Sequence, residues 1–212
     1  MLLPMFPLRS VFFPAEMVPL HIFEDRYKDL IRDCREGAHG FGIPVYINNT
    51  LRYGTEMELL EIVETYPNGE LDIICKAGRV FEVKTFQEEL PGFPYAGGTV
   101  HFLGYDADGT QSLQLQIMEG VKELYRLMEI PWDHVFGAPF AFNQWIHKIG
   151  LNLEQEYELL QMRSERQRQK YVLLHLARTA EVLRQLAHMK DVIELNGHFK
   201  NFDPLNFKDF KI

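Results

Sequence analysis

Residues 7–27 read PLRSVFFPAEMVPLHIFEDRY: an apolar run interrupted by Pro7, Pro14 and Pro19 and closed by charge. A secretory signal needs a basic start, an unbroken apolar run and a small-residue cleavage site. Here the first basic residue is Arg9, prolines cut the run, and no Ala-x-Ala-like site follows. A membrane helix needs ~20 consecutive apolar residues, and the chain has no such window. The stretch is expected to stay within a soluble fold, with Val11 to Phe13 and Val18 to Phe23 as short, proline-bounded edge or bulged strands.

Working outward, the period changes at once. Tyr27, Leu30, Ile31 and Cys34 recur at helical spacing with charge on the other faces, predicting an amphipathic helix ended by Gly37. Phe41 to Ile47 is the next apolar run. Met57 to Tyr66 and Leu71 to Lys76 flank Asn68-Gly69, a strong hairpin signal. Leu71, Ile73 and Cys75 alternate with Asp72, Ile74 and Lys76, as a sheet with one wetter face requires. Gly78 is expected to break this strand before RVFEVKTF, and TVHFLGY supplies another, for about six or seven strands before Asp106.

After DADG the pattern becomes helical. Leu113 to Met128, Phe140 to Ile149, LEQEYELLQM and a long final segment are expected helices, with Asn152/Gln155 and Ser164/Gln167 as capping boxes. In the last helix Leu173, Leu176, Ala177, Ala180, Leu183 and Ala187 trace one stripe. Strands first and helices after define an α+β chain. The expected division is a β subdomain over 1–108, a helical subdomain over 109–198, and a Phe-rich tail over 199–212 packing on the body. Docking of that tail on a second chain is the alternative.

The chemistry-bearing patterns are mostly absent. No Gly-x-x-x-x-Gly-Lys-Ser/Thr occurs, and Gly37 to Gly42 runs into a strand rather than opening a helix, so no nucleotide loop is expected. No His-Glu-x-x-His or Cys-x-x-Cys appears, the eight histidines are scattered, and no serine sits in a Gly-x-Ser-x-Gly elbow. No catalytic residue, metal or cofactor is expected. Cys34 and Cys75 read as core thiols of a reducing, cytoplasmic environment, with a single bridge as the alternative. The formal net charge of −8 disfavours phosphate backbones, and the basic cluster RSERQRQK (Arg163 to Lys170) reads as a solvated helix face. Arg79 shares the strand parity of Phe81 and Val83, so it is expected to face the covered side, with Glu24 as its carboxylate partner.

The opening stretch resembles the signature of the N-terminal substrate-binding domain of ATP-dependent Lon proteases: Pro-Leu, a Phe-Pro step, then Pro-Leu-x-Ile-Phe-Glu-x-Arg-Tyr. The likeness continues through FGIPV, YGTEMEL, AGRVFEV and PYAGGTV, and LNLEQEYELLQMRSERQRQKYVLLHL is similar to the family's helical half. The resemblance implies a PUA-like twisted sheet or partly open barrel with one early helix, followed by a helical bundle. The ATPase and Ser-Lys peptidase modules of the full proteases are not expected in a chain ending at Ile212. It further implies noncatalytic recognition of unfolded or exposed apolar polypeptide, as an adaptor in protein quality control, with clients or a protease or chaperone as partners. Homo-oligomerisation stays open, and no membrane partner is expected. Phe12, Phe13, Met17 and Phe23 are the candidate contacts, through a groove or by strand addition. RNA binding, known for PUA-like folds, is the alternative.

Overall fold

The computed structural model describes residues 1–37, 39–131 and 142–200, with the side chains of 142–144 and 195–200 left aside. Strands β1 (Leu2–Met5) and β2 (Met17–Ile22) precede helix α1 (Asp25–Gly37). Strands β3 (Phe41–Ile47), β4 (Thr50–Thr65), β5 (Leu71–Val83) and β6 (Ala96–Phe102) follow. Helix α2 (Gln111–Leu127), a 3₁₀ turn (Phe142–Lys148), α3 (Leu153–Gln161) and α4 (Glu165–Lys200) complete the described chain. The fold is α+β.

Strand β5 organises the sheet. Asn68-Gly69 turns β4 back onto it, with Gly69 at φ +82, where a side chain would be strained. The strand order is β2-β5-β4-β3-β1-β6, and a further β5–β6 ladder closes β5, β4, β3, β1 and β6 into a five-stranded barrel. Strand β2 is left outside, paired with β5 alone. Closure this tight needs a glycine at position 42. A Cβ there would stand 2.7 Å from the Leu3 side chain and 2.8 Å from the Phe81 ring.

Three apolar clusters hold the structure. Leu3, Met5, Phe81, Ala96 and Val100 join β1, β5 and β6. Tyr27, Leu30, Ile31 and Cys34 of α1 pack with Phe41, Ile43, Met57, Ile73 and Cys75 of the sheet, as the helical spacing predicts. In the third cluster, Val11, Phe13, Val45, Ile47 and Val80 meet Ile117, Val121 and Leu124 of α2 together with Leu160 and Leu176. Each buried Val, Leu, Ile, Phe or Met among them contributes about 1.5–3 kcal/mol. Strands and helices therefore share a core.

The Asn152/Gln155 box forms as expected, the Ser164/Gln167 box shows one of its two arms, and Thr110 is a further cap. Thr110 Oγ1 accepts from the Leu113 amide, and Asn152 and Gln155 form the full capping box. Ser164 Oγ accepts from Gln167 N at 3.1 Å and donates to Asp108, which also takes the Arg166 amide at 3.0 Å.

Several expectations need correction. Val11 to Phe13 forms no strand; both end residues are buried against the helices instead. Strand β1 was not foreseen. Gly78 does not break β5. Ala77 pairs with Met57 and Val80 with Thr55, so Gly78 and Arg79 together oppose Glu56 in a β-bulge. The segment Phe142–Lys148 is 3₁₀ rather than α-helical, and residues 140 and 141 lie outside the described residues. On α4 the buried line is Val172, Leu176 and Ala180; Leu173 and Leu183 are half-buried, and Ala177 and Ala187 are exposed. The expected tail packing lies outside the described residues except at 199 and 200, whose side chains are likewise undescribed.

Candidate functional site

Strand β2 pleats in the ordinary way, and its two faces differ sharply. Val18 and Ile22 are buried and Leu20 half-buried against the α1 cluster, while Met17, Pro19 and His21 point outward. Phe23, one residue beyond the strand, extends that outer row. Met17 is 58% and Phe23 61% exposed. A row at i, i+2, i+4 and i+6 on one face is what a strand presents to a partner. The second edge of β2 pairs with no strand among the described residues. Pro19 removes one donor from this short strand, a feature that limits uncontrolled edge pairing.

Polar groups fix both ends of the row. His21 Nδ1 lies 2.7 Å from Asp72 Oδ1 and its ring stacks at 6.3 Å from Phe23. The bond to Asp72 raises the imidazole pKa and lowers that of the carboxyl. At the other end a cleft of about 420 Å³ runs beside Phe12, Met17 and Pro19, floored by Glu16 and His147. His147 bridges two carboxylates, with Nδ1 2.8 Å from Glu156 and Nε2 3.1 Å from Glu16. Those two bonds, Glu156 foremost, push its pKa up to about 10. Glu16, 8% exposed, also accepts from the Phe13 amide at 3.0 Å. The charged bridge ties the loop before β2 to the helical half.

The candidate contacts thus separate. Met17 and Phe23 stand on the exposed row, Phe12 is half-buried beside the cleft, and Phe13 is 0% exposed in the shared core. Phe13 is structural.

The expected Glu24–Arg79 pair does not form. Arg79 donates to both carboxylate oxygens of Glu56, at 2.9 and 3.0 Å, while Glu24 pairs with Arg26 at 2.7 Å. Arg79 keeps the face of Phe81, but the β5–β6 ladder begins only at Phe81–Phe102. Beyond that point the guanidinium is uncovered and lies 3.7 Å over the Phe102 ring. The solvated reading of Arg163 to Lys170 also fails at two positions, since Arg168 and Gln169 are 2% and 4% exposed. The signal was there: Arg168, Val172, Leu176 and Ala180 stand four residues apart on one helix face. Cys34 and Cys75 are free and buried, and burial pushes both thiols up to about 12. Among the described residues no three metal-ligating side chains gather, and no helix is long and apolar enough to cross a membrane.

A closed five-stranded barrel with an outer strand and a C-terminal helical half is the architecture of Lon N-terminal domains. The chain aligns over 82% of its length with a Lon N-terminal domain protein from Xanthomonas campestris, covering 98% of that chain, at a TM-score of 0.63 and 23% identity. It aligns over 84% of its length with the N-terminal domain of a Mycobacterium avium complex Lon protease, covering 98% of it, at a TM-score of 0.60 and 13% identity. Residues 2–178 match the family model of the ATP-dependent protease La (LON) substrate-binding domain. The chain belongs to the LON substrate-binding domain family. Among curated proteins, none matches it.

Proposed function

We propose that the chain is a noncatalytic polypeptide-recognition module that engages unfolded or exposed apolar segments through β2. The observation that carries this reading is the outward row Met17, Pro19, His21 and Phe23 on a strand whose second edge is unpaired among the described residues. An extended segment laid along that edge gains main-chain hydrogen bonds, and its alternate side chains meet Met17 and Phe23. Membership of a substrate-binding family supports the same reading. A role as an adaptor delivering clients to a protease or chaperone follows from it, and two buried, free thiols fit a reducing cytoplasm.

The test is fluorescence anisotropy of a labelled, reduced and alkylated protein lacking tertiary structure. Binding is expected, with a loss of about tenfold in affinity for the Met17→Asp/Phe23→Asp variant, since one desolvated charge costs on the order of 1–3 kcal/mol. No binding, or binding indifferent to both substitutions, overturns the proposal. A structured RNA measured in parallel covers the alternative: salt-dependent RNA binding with no polypeptide binding would replace this reading.

A further inference from the structure

A second cavity, of about 430 Å³, opens between the barrel and the junction of α3 with α4, and its lining residue Lys76 pairs with Met17 at the start of β2. Its walls are apolar: Pro14, Val80, Leu103, Leu160 and Met162. Four cations stand around them, Lys76, Arg79, Arg163 and Arg168, in a chain whose net charge is −8. That concentration of positive charge on apolar walls needs an explanation.

Arg168 is the decisive group. It is 98% buried, being 2% exposed, and its Nε donates to the Met162 carbonyl at 3.0 Å. Its guanidinium carbon lies 5.1 Å from the Tyr105 ring centroid. Neither Nη group has a hydrogen-bond or ion-pair partner among the described residues. Arg168 is one of the residues that line the cavity. Arginine stays protonated in proteins, and a guanidinium this deep is costly without an anion. Burial accordingly lowers its pKa.

Of the neighbouring carboxylates, Glu165 acts on Arg168 through its charge but forms no hydrogen bond or ion pair with it among the described residues. Glu56 holds Arg79 with both oxygens, Glu165 accepts from the Tyr105 hydroxyl, and Asp108 takes Ser164 and the Arg166 amide. The first amides of α4 are taken as well, by Asp106 O, Asp108 and Ser164, so the helix end offers no phosphate cradle. The head groups of Arg163 and Lys76 carry no hydrogen bond or ion pair among the described residues. What remains free is a planar guanidinium fork at the bottom, two further cations, and apolar walls. The volume falls within the ~300–1,000 Å³ typical of small-ligand sites. A guanidinium fork matches the two oxygens of a carboxylate.

We propose that this cavity binds an apolar carboxylate, the free C-terminal residue of a polypeptide, with the carboxylate on Arg168 and Arg163 and the side chain against Val80, Leu103, Leu160 and Met162. The polypeptide source rests on the function proposed above. The carboxylate chemistry stands on the cavity alone. A client would then be read at two places, along β2 by its extended body and in the cavity by its end.

The test uses the whole chain and three probes: a fluorescein-labelled nonapeptide ending in Leu with a free carboxylate, the same peptide as a C-terminal amide, and 4-phenylbutyrate as an unlabelled competitor. The free-acid peptide is expected to bind at least about tenfold more tightly than the amide. Arg168→Gln should remove that difference. Arg163→Gln, at an exposed position that leaves the core intact, should reduce it. Equal affinity for acid and amide, or no binding of either, overturns the proposal. If 4-phenylbutyrate binds at Arg168 and the peptide acid does not, the polypeptide source is overturned and a small organic acid is the ligand. If acid and amide bind equally and Met17→Asp weakens both, the cavity proposal fails while the β2 reading survives.

Discussion

Arg79 and Glu56 face each other across the one-residue bulge of β5, joined by two hydrogen bonds of 2.9 and 3.0 Å. The Arg79 side chain is 61% exposed and rests on Phe102. A pair this exposed is worth less than about 1 kcal/mol. Arg79→Met should therefore lower the melting temperature only slightly. A double-mutant cycle should show coupling to Glu56 and none to Glu24, measured by denaturant unfolding. Coupling to Glu24 would contradict the observed pairing.

Phe13 and Met17 lie close in sequence and should behave oppositely. Phe13 is fully buried among residues of both halves, so Phe13→Ala should cost about 3–5 kcal/mol of stability. Met17→Ala, on the exposed row, should leave stability within about 0.5 kcal/mol and alter polypeptide binding only. Urea denaturation of the two variants decides this. A mild effect at Phe13 would mean that the shared core is not cooperative.

His147 sets a pH dependence whose direction is fixed by its partners. Its folded pKa is raised from 6.5 to about 10 by Glu156 and Glu16. Stability from this bridge is complete below the unfolded value of 6.5 and fades as pH climbs toward 10. Melting curves from pH 6 to about 10 should show a decline in the wild type that is absent from His147→Gln. Parallel curves for both proteins would count against a charged bridge.

The division at residue 108 should not yield a free-standing β unit. Without α2, α3 and α4, the side chains Val11, Phe13, Val45, Ile47 and Val80 lose their cover. A chain ending at 108 is expected to aggregate or to bind a hydrophobic dye without a cooperative melt. A sharp thermal transition for that fragment would establish two independent folding units.

The parts of this fold that were legible are those whose signals are local. The α1 stripe, the Asn68-Gly69 turn and the Asn152 capping box each depend on residues within a few positions. What escaped depends on distant neighbours. Strand β1 exists because Leu2 to Met5 find β6 across nearly the whole barrel chain, registered as Met5 to Ala96. Val11 and Phe13 look like strand residues, but helices that follow a hundred residues later claim them. Gly78 resembles a strand stop, and only its partner Glu56 shows that it opens a bulge. The β2 row was half legible: a short, proline-bounded β-prone run marked the strand as Val18 to Phe23, yet burial alone separated Met17 and Phe23 from Phe13. Arg168 was concealed by its charged neighbours, although its spacing to Val172 and Leu176 placed it on the inward face.

The backbones of Asp106 and Arg163 to Glu165 meet through hydrogen bonds of 2.9 and 3.0 Å. The chain thus leaves the barrel and returns to the point of departure, which makes residues 107–163 a cassette with clamped ends. Lengthening a connection inside such a cassette costs only about 0.6 kcal/mol per doubling. It leaves Arg163 and Arg168 in place opposite Leu103 and Tyr105. Within that segment, the exposed Gly150 in the turn before α3 lines neither the cavity nor the cleft beside β2, and is the place to graft a fluorescent or affinity tag.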